Sequence, residues 1–490
     1  MSYRGGIAAL LAGAACVASP AHADTLREAL QETYQTNPTL EAARAGQRAT
    51  DETVVIERSA GLPSASATGA YTEIVTGASQ FGPDRFLTGG VDVGVPVYQG
   101  GAVKNSIRAA ENRIEAGQAD LRATESAIFS QVVAAYMDVI RNEAIVGLNA
   151  GQVQVLSVNL EATSDRFEIG DLTRTDIAQS QSRLAFAESD LRFAQSNLIT
   201  ARENYIALVG SAPDDLQPPP PLPGLPNSVD DAVDAALESN PDLIAARERA
   251  VAAGYDIDVA GAGRLPTVSV FAGYDYTNTL GSVRSSVPTI PDSAIDQTSN
   301  DASVGVSVRI PIFQGGRVGA LERQAQARSS AALEQIVATE RDVIAQTRAS
   351  WSSWQAALAI IESSQVAVQA AELSLEGTRA ENSIGNRTIL DVLNAEQELL
   401  SSRVQLVTAR RNAYVAGFSL LAAMGRAEAR DLGLEGESGV LYDPVANYDR
   451  VKHKFWDWDR DPDPVTQSTR TVDIPAPTAD IPANESPSGK

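Results

Sequence analysis

Residues 91–97 read VDVGVPV and run into Tyr98-Gln99-Gly100-Gly101; residues 306–312 read VSVRIPI and run into Phe313-Gln314-Gly315-Gly316. In both stretches branched apolar residues alternate with small or polar ones at period two, the pattern of a strand with one apolar and one wet face. The apolar set is Val91, Val93, Val95 and Val97 in the first, and Val304, Val306, Val308, Ile310 and Ile312 in the second. A proline and a glycine pair then end each strand, and a very long helical pattern begins. Pro96, Gly100 and Gly101, with Pro311, Gly315 and Gly316, therefore mark two strand-to-helix junctions.

Working outward, the two junctions belong to an internal duplication. Asn37-Pro38 followed by Ala42-Ala43-Arg44 returns as Asn240-Pro241 followed by Ala245-Ala246-Arg247, an offset of 203 residues from Asn37 to Asn240. Past the strand loops the offset becomes 215, from Pro96 to Pro311 and from Gly170 to Gly385. The twelve extra residues fall between paired strands, where insertion into a surface loop costs little. Each half reads helix, strand, loop, strand, long helix, short turn, returning helix. The strands are expected near 65–74 and 86–97, then near 267–280 and 303–312, each close to the 9–11 residues that a tilted strand needs to cross a bilayer. Tyr71, Phe86, Tyr98, Tyr274, Tyr276 and Phe313 suit aromatic girdles at strand ends.

The first repeat spans 24–212 and the second 229–432; between them 213–228 is a proline-rich connector containing PPPPLPGLP, unable to form helix or inner strand. Residues 1–23 have the form of a secretory signal peptide: Arg4, an apolar run over 7–18, and Ala21-His22-Ala23 as a cleavage site after Ala23. Cys16, the one cysteine, lies inside this segment; a lipoprotein reading is disfavoured by Gly13, and after cleavage no thiol chemistry is left. Residues 433–490 show no periodicity and read as a periplasmic extension, disordered toward the end.

The helices carry a seven-residue rhythm. Ile107, Ile114, Leu121, Ile128 and Ala135 form one seam, and Leu393, Leu400, Val407, Tyr414 and Leu421 another. A sustained period of seven means supercoiled helices. From Gly101 to about Arg166 the helix would be on the order of 100 Å long, which no compact domain needs. Gly170 and Gly385 then mark tight turns at the far tips. Four strands cannot close a barrel, and an open edge cannot be left in lipid. The chain must pool strands with copies of itself: two copies would give eight strands, three would give twelve and room for a pore. The small or polar inward set (Asp92, Gly94, Pro96, Ser303, Gly305, Ser307, Arg309) favours the roomier case. Both ends of each hairpin leave on one side, so all helices project together.

The twofold repeat, the VPVYQGG and IPIFQGG junctions, and IGNRTILDVLNAE at 384–396 resemble the TolC-like outer membrane efflux proteins, over about residues 24–426. The resemblance implies an α+β membrane protein: a homotrimer with a twelve-stranded transmembrane β-barrel, four strands per chain, continued by a long periplasmic α-helical coiled-coil barrel. It implies an exit duct in the outer membrane lipid for efflux or type I protein secretion. The implied partners are a periplasmic adaptor, docked at the tips by Gly170 and Gly385, and an inner-membrane ABC or proton-driven transporter.

Asp176 and Asp391 each lie six residues past a tip glycine, so three copies would place rings of like charge at the tunnel mouth and attract cations. The alternative, as good for Asp176 but weaker for Asp391, is that each serves only to favour a helix N-terminal turn. By the resemblance, Asp391 lines the constriction, Asn394 stands where a second Asp is common, and Arg387 is the gate latch, bonding to Thr175 and Asp176. Asn382 replaces a tyrosine of that latch. A guanidinium would make the strongest single tie; a solvated surface arginine is the lesser alternative. Trp351 and Trp354 read as interhelical packing.

The formal net charge of −23 argues against nucleic acid. His22 leaves with the leader and His453 lies in the tail, so neither a catalytic triad nor a usual metal site can be assembled, and no cofactor or enzymatic activity is expected. A coiled-coil structural or adhesive envelope protein without a pore is the alternative.

Overall fold

The computed structural model describes residues 25–77, 82–284, 289, 291, 294–435 and 441–480. The leader with Cys16 and Ala23, the cleavage site, and parts of both strand loops lie outside the described residues. The first half consists of α1 (Leu26–Thr36), α2 (Pro38–Ser59), β1 (Ser64–Glu73), β2 (Arg85–Gln99), α3 (Ala102–Glu168) and α4 (Arg174–Val209). The second repeats that order as α5 (Val229–Ser239), α6 (Pro241–Gly261), β3 (Thr267–Asn278), β4 (Thr298–Arg309), α7 (Arg317–Ser383) and α8 (Ile389–Ala423); α9 (Pro444–Val451) follows. Both α3 and α7 have 67 residues, about 100 Å of helix. Among the described residues no helix is long and apolar enough to cross a membrane.

The repeated Asn-Pro pairs are a joint. Asn37 caps α2, its Oδ1 accepting from the N–H groups of Thr39 (2.9 Å) and Leu40 (3.2 Å), while its Nδ2 donates to the Leu208 carbonyl near the end of α4 (2.9 Å). Asn240 does the same for α6, with Nδ2 donating to the Ala423 carbonyl at the end of α8 (3.0 Å). Pro38 and Pro241 fill the first helical position, where no N–H is needed. One side chain thus satisfies orphan groups of two helices, and does so once per half. Around this joint lies the main core, where Phe129, Tyr136, Leu198, Tyr205, Phe418 and Leu421 are fully buried. Ile114, Leu121, Ile128 and Ala135 are buried along α3 at their seven-residue spacing. Trp351 and Trp354 meet edge-on at 5.4 Å and pack beside Leu420 and Met424, a packing role.

The four strands form one antiparallel sheet in the order β1-β2-β3-β4, with β1 and β4 at the edges. Cross-strand rows are sorted by face. Ala67, Val91, Tyr274 and Ala302 stand in one register row, Ala65, Val93, Ala272 and Val304 in a second of the same face. The opposite face carries Ser66, Asp92, Gly273 and Ser303 in one such row. The apolar face is exposed: Tyr71, Val91, Tyr274, Val304, Val306 and Val308 are uncovered.

The strand ends differ from the sequence reading. Pro96 does not end β2, which runs on to Gln99 through an irregularity between Pro96 and Tyr98 in its pairing with β3. The bulge absorbs the missing N–H of proline. β4 instead starts five residues earlier than expected and stops at Arg309, so Ile310, Pro311 and Ile312 lie outside it. β1 reaches only as far as Gly94, but β3 still pairs β2 at Pro96, Tyr98 and Gln99, whereas β3 begins at Thr267 opposite Arg309 and leaves the residues after Arg309 with nothing to pair.

Residues 441–480 run along the helical body: Asp443 caps α9, Asn447 donates to Asp51 (2.7 Å), and Arg202 donates to the carbonyls of Thr478 (2.6 Å) and Asp480 (3.2 Å). An eight-residue helix followed by an extended strap is too short to leave a periodic signal. Residues 436–440 and 481–490 lie outside the described residues.

Candidate functional site

The tips of the two helical hairpins carry most of the sequence-predicted site. Each long helix ends in a left-handed glycine, Gly170 (φ 86°) or Gly385 (φ 80°), whose N–H returns to the preceding turn. Asp171 N–H reaches the Arg166 carbonyl and Asn386 N–H the Glu381 carbonyl, both at 2.9 Å. These six-to-one bonds close the helix end and reverse the chain. The returning helix then opens on a reciprocal cap. Asp176 Oδ2 accepts from the N–H (2.8 Å) and hydroxyl (2.7 Å) of Thr173, and Asp391 Oδ2 from those of Thr388 (2.9 and 2.7 Å). Both aspartates therefore do have the helix-capping role. The bonds from the Thr173 backbone and side chain hold the Asp176 carboxyl below its usual range. The Thr388 hydroxyl and N–H, with Arg387 nearby, do the same for Asp391. Both residues are half-buried and stay ionised, so the cap and a charge open to solvent coexist.

Arg387 is brought together with Asn382 but not with Thr175 or Asp176. Its Nε donates to Glu381 Oε2 (2.8 Å) on its own hairpin, and Asn382 Nδ2 donates to the Arg387 carbonyl (2.8 Å). The other tip has an ion pair of reversed sense, Arg166 to Asp171 at 2.7 Å. Sequence reading missed both pairs, although the 215-residue offset sets Arg166 against Glu381 and made the inversion legible. Asn394 is also engaged: Arg183 Nη2 on α4 donates to its Oδ1 (2.8 Å), tying the two hairpins of one chain together. Below that tie Leu156, Ala187 and Leu393 pack α3, α4 and α8 side by side.

The junction glycines are all left-handed, Gly100 (φ 65°), Gly101 (φ 83°), Gly315 (φ 59°) and Gly316 (φ 84°). At Gly100 a Cβ would fall 2.8 Å from Leu265 Cβ and 2.9 Å from the Ala262 carbonyl, so the first junction tolerates no side chain. Gln99 Nε2, at the end of β2, donates to the Ala60 carbonyl (2.7 Å) and Gln314 Nε2, five residues past β4, to that of Gly263 (2.9 Å), each fastening a junction to the turn just past the helix that leads into the sheet.

Between sheet and tips, a group not singled out from sequence lies under the core. Glu125 is pushed up to about 7, first by burial and then by the charge of Glu428, against the Ala429 N–H that bonds it. Arg122 holds Glu428 at 2.7 Å, and Arg44 lies over the Tyr34 ring at 4.3 Å. The unfolded carboxyl titrates near 4.5, so stability from protonated Glu125 is fully present below that value and is lost as pH rises through about 7. The difference is worth up to about 3 kcal/mol. Glu125→Gln should therefore flatten the fall in melting temperature between about pH 5 and about pH 8; an unchanged slope in differential scanning fluorimetry would remove Glu125 as its source. Among the described residues no group of three or more His, Cys, Asp or Glu could hold a metal ion.

A family model described as "Outer membrane efflux protein" matches residues 29–211 and 232–426. The outer membrane efflux protein BepC of Brucella suis is 33% identical over 451 residues, 92% of this chain and 95% of the relative. The alkaline protease secretion protein AprF of Pseudomonas aeruginosa is 26% identical over 320 residues, 64% of each. Among solved structures, the outer membrane protein VceC of Vibrio cholerae superposes with a TM-score of 0.68 at 24% identity, covering 82% of this chain and 96% of that one.

Proposed function

This chain belongs to the outer membrane efflux protein family and is a protein of the outer membrane; on that premise we propose that three copies form an exit duct from periplasm to exterior. The observation that carries the reading is the open sheet. Its four strands have two unpaired edges and an exposed apolar face, an arrangement stable in lipid only when copies close it. Three copies give twelve strands, a polar lumen lined by the row of Asp92 and Ser303, and an apolar outer band. Exposed apolar residues along α7 (Leu333, Val337, Val366, Leu373) would be covered by the neighbouring copy. The chain is not an enzyme in this reading; it passes what an inner-membrane ABC or proton-driven transporter delivers through a periplasmic adaptor seated on the Gly170 and Gly385 tips. BepC is named for efflux and AprF for protease secretion, so small molecules and polypeptides are both within the family's range.

The leader over 1–23 is removed after Ala23, the repeats over 24–212 and 229–432 flank the connector 213–228, and the extension 433–490 stays in the periplasm. At the mouth, Asp391 and Asp176 supply rings of charge and Arg387 ties neighbouring hairpins. The tie requires Arg387 to exchange Glu381 for an acid across the interface, Asp176 with Thr175 beside it. With Asn394 bonded to Arg183, the ring carries less charge than one with two aspartates per chain. The test is the native mass and single-channel behaviour of detergent-purified protein in a planar bilayer. Three copies and small cation-selective steps are expected. A folded monomer without conductance would overturn the duct and return the structural envelope protein.

A further inference from the structure

The segment after α9 makes an aromatic turn at the level of the sheet. α9 runs alongside α2 with residue numbers rising together: Asn447 donates to Asp51 (2.7 Å), and Arg58 donates to the carbonyls of Lys452 and of Lys454 (2.8 Å to the latter). The Ala60 carbonyl, two residues past Arg58, accepts from Gln99 at the end of β2. The chain thus climbs toward the sheet until Lys454, then turns and descends, reaching Gly210 with Thr469 and Arg202 with Thr478. At the turn stand Phe455, Trp456 and Trp458, which are 76%, 67% and 83% exposed.

Most charges around the turn are paired, while Asp457 stands exposed between Trp456 and Trp458. Arg450 holds Asp461 through both guanidinium nitrogens (2.8 Å each), Lys454 holds Asp459 (3.0 Å), and Lys452 holds Asp449 (2.6 Å). The Arg450 and Lys454 pairs cross-brace the two limbs, the Lys452 pair braces the ascending limb itself, and three large aromatic side chains project from a base whose charges are mostly paired. A water-facing loop gains nothing from that arrangement, whereas Trp is favoured where an apolar ring meets a wet boundary. The same level carries the exposed aromatics Tyr98, near the end of β2, and Phe313, in the junction between β4 and α7, so the turn continues the apolar band of the sheet. We propose that Phe455, Trp456 and Trp458 dip into the periplasmic leaflet of the outer membrane, as a lipid anchor beside the barrel. The occupant is a phospholipid surface. The inference rests on the strands being membrane-embedded.

The chain has four tryptophans, and Trp351 and Trp354 lie within α7, far along the helix from its junction. Full-length protein in vesicles of zwitterionic phospholipid, with or without bromine on the acyl chains, is compared with the variant Trp456→Phe/Trp458→Phe. The difference spectrum between the two proteins isolates the emission of Trp456 and Trp458. That emission should fall by about half or more in brominated vesicles and resist iodide in the water. Quenching by iodide but not by bromolipid would overturn the proposal in favour of a periplasm-facing loop. Quenching by neither would overturn it in favour of cover by another protein chain. Both proteins should co-float with vesicles and conduct; if they do and the bromolipid effect is missing, the anchor alone fails, and if neither co-floats, barrel and anchor fall together.

Discussion

Arg387→Ala should enlarge the single-channel steps of the purified protein several-fold and leave its folding unchanged. Arg387 is about half exposed and makes its ion pair with Glu381 on the same tip, 2.8 Å away. An exposed pair of this kind contributes little to stability, so removing the guanidinium does not endanger the helical body. In the proposed trimer, whose mouth would be built from six tips, its effect would be larger. Three guanidinium groups, each able to make two parallel bonds to a carboxylate, would hold neighbouring hairpins together where the tunnel is narrowest. Glu381→Ala separates the possibilities. A latch made across hairpins keeps its partner at Asp176 when Glu381 is lost, so that variant should conduct as the parent does. Equal enlargement in both variants would mean that Arg387 acts through its own tip. Unchanged steps in Arg387→Ala would remove it from the latch.

Gly425→Ala should lower stability by about 2–5 kcal/mol, enough to abolish the assembled protein at moderate temperature. Gly425 ends α8 at φ 70°, and a Cβ there would fall 2.4 Å from the Ser239 carbonyl oxygen and 2.9 Å from Asn240 Cα. Those atoms are backbone at the end of α5 and in the Asn240 joint, so neither can swing aside. The left-handed conformation adds its own cost of about 1 kcal/mol. Gly385→Ala is the control, since Gly385 is also left-handed (φ 80°) but has open space around it. The two melting temperatures should differ by the clash alone. Equal, small shifts would mean that the α8 end can move away from the joint.

Much of this organisation was legible from one chain because repetition makes weak signals checkable. The offset of 203 residues set Asn37-Pro38 against Asn240-Pro241, and both prove to be the same two-helix joint. Period two over 91–97 and 304–308 separated the faces of the sheet, because a one-residue slip would turn every valine inward. Period seven marked the buried line Ile114, Leu121, Ile128 and Ala135. Less was legible at the tips. Asp176 and Asp391 were found by their spacing from glycine, but a capping aspartate and a pore aspartate follow the same rule, and one carboxylate does the first while remaining free for the second.

Local pattern by itself determined the elements, their order, which strand face is apolar and where the chain reverses, because each follows from backbone preference and burial along a single element. Tertiary structure alone decided the partners. It paired Arg387 with Glu381 and Arg183 with Asn394, carried β2 through Pro96 while stopping β4 at Arg309, and raised the Glu125 carboxyl among residues some 300 positions away in sequence. It also folded the unpatterned tail back along α2 until its tryptophans reached the level of the sheet. Charge pairing, edge effects and desolvation depend on what lies across a gap in space, and no period along the chain encodes that.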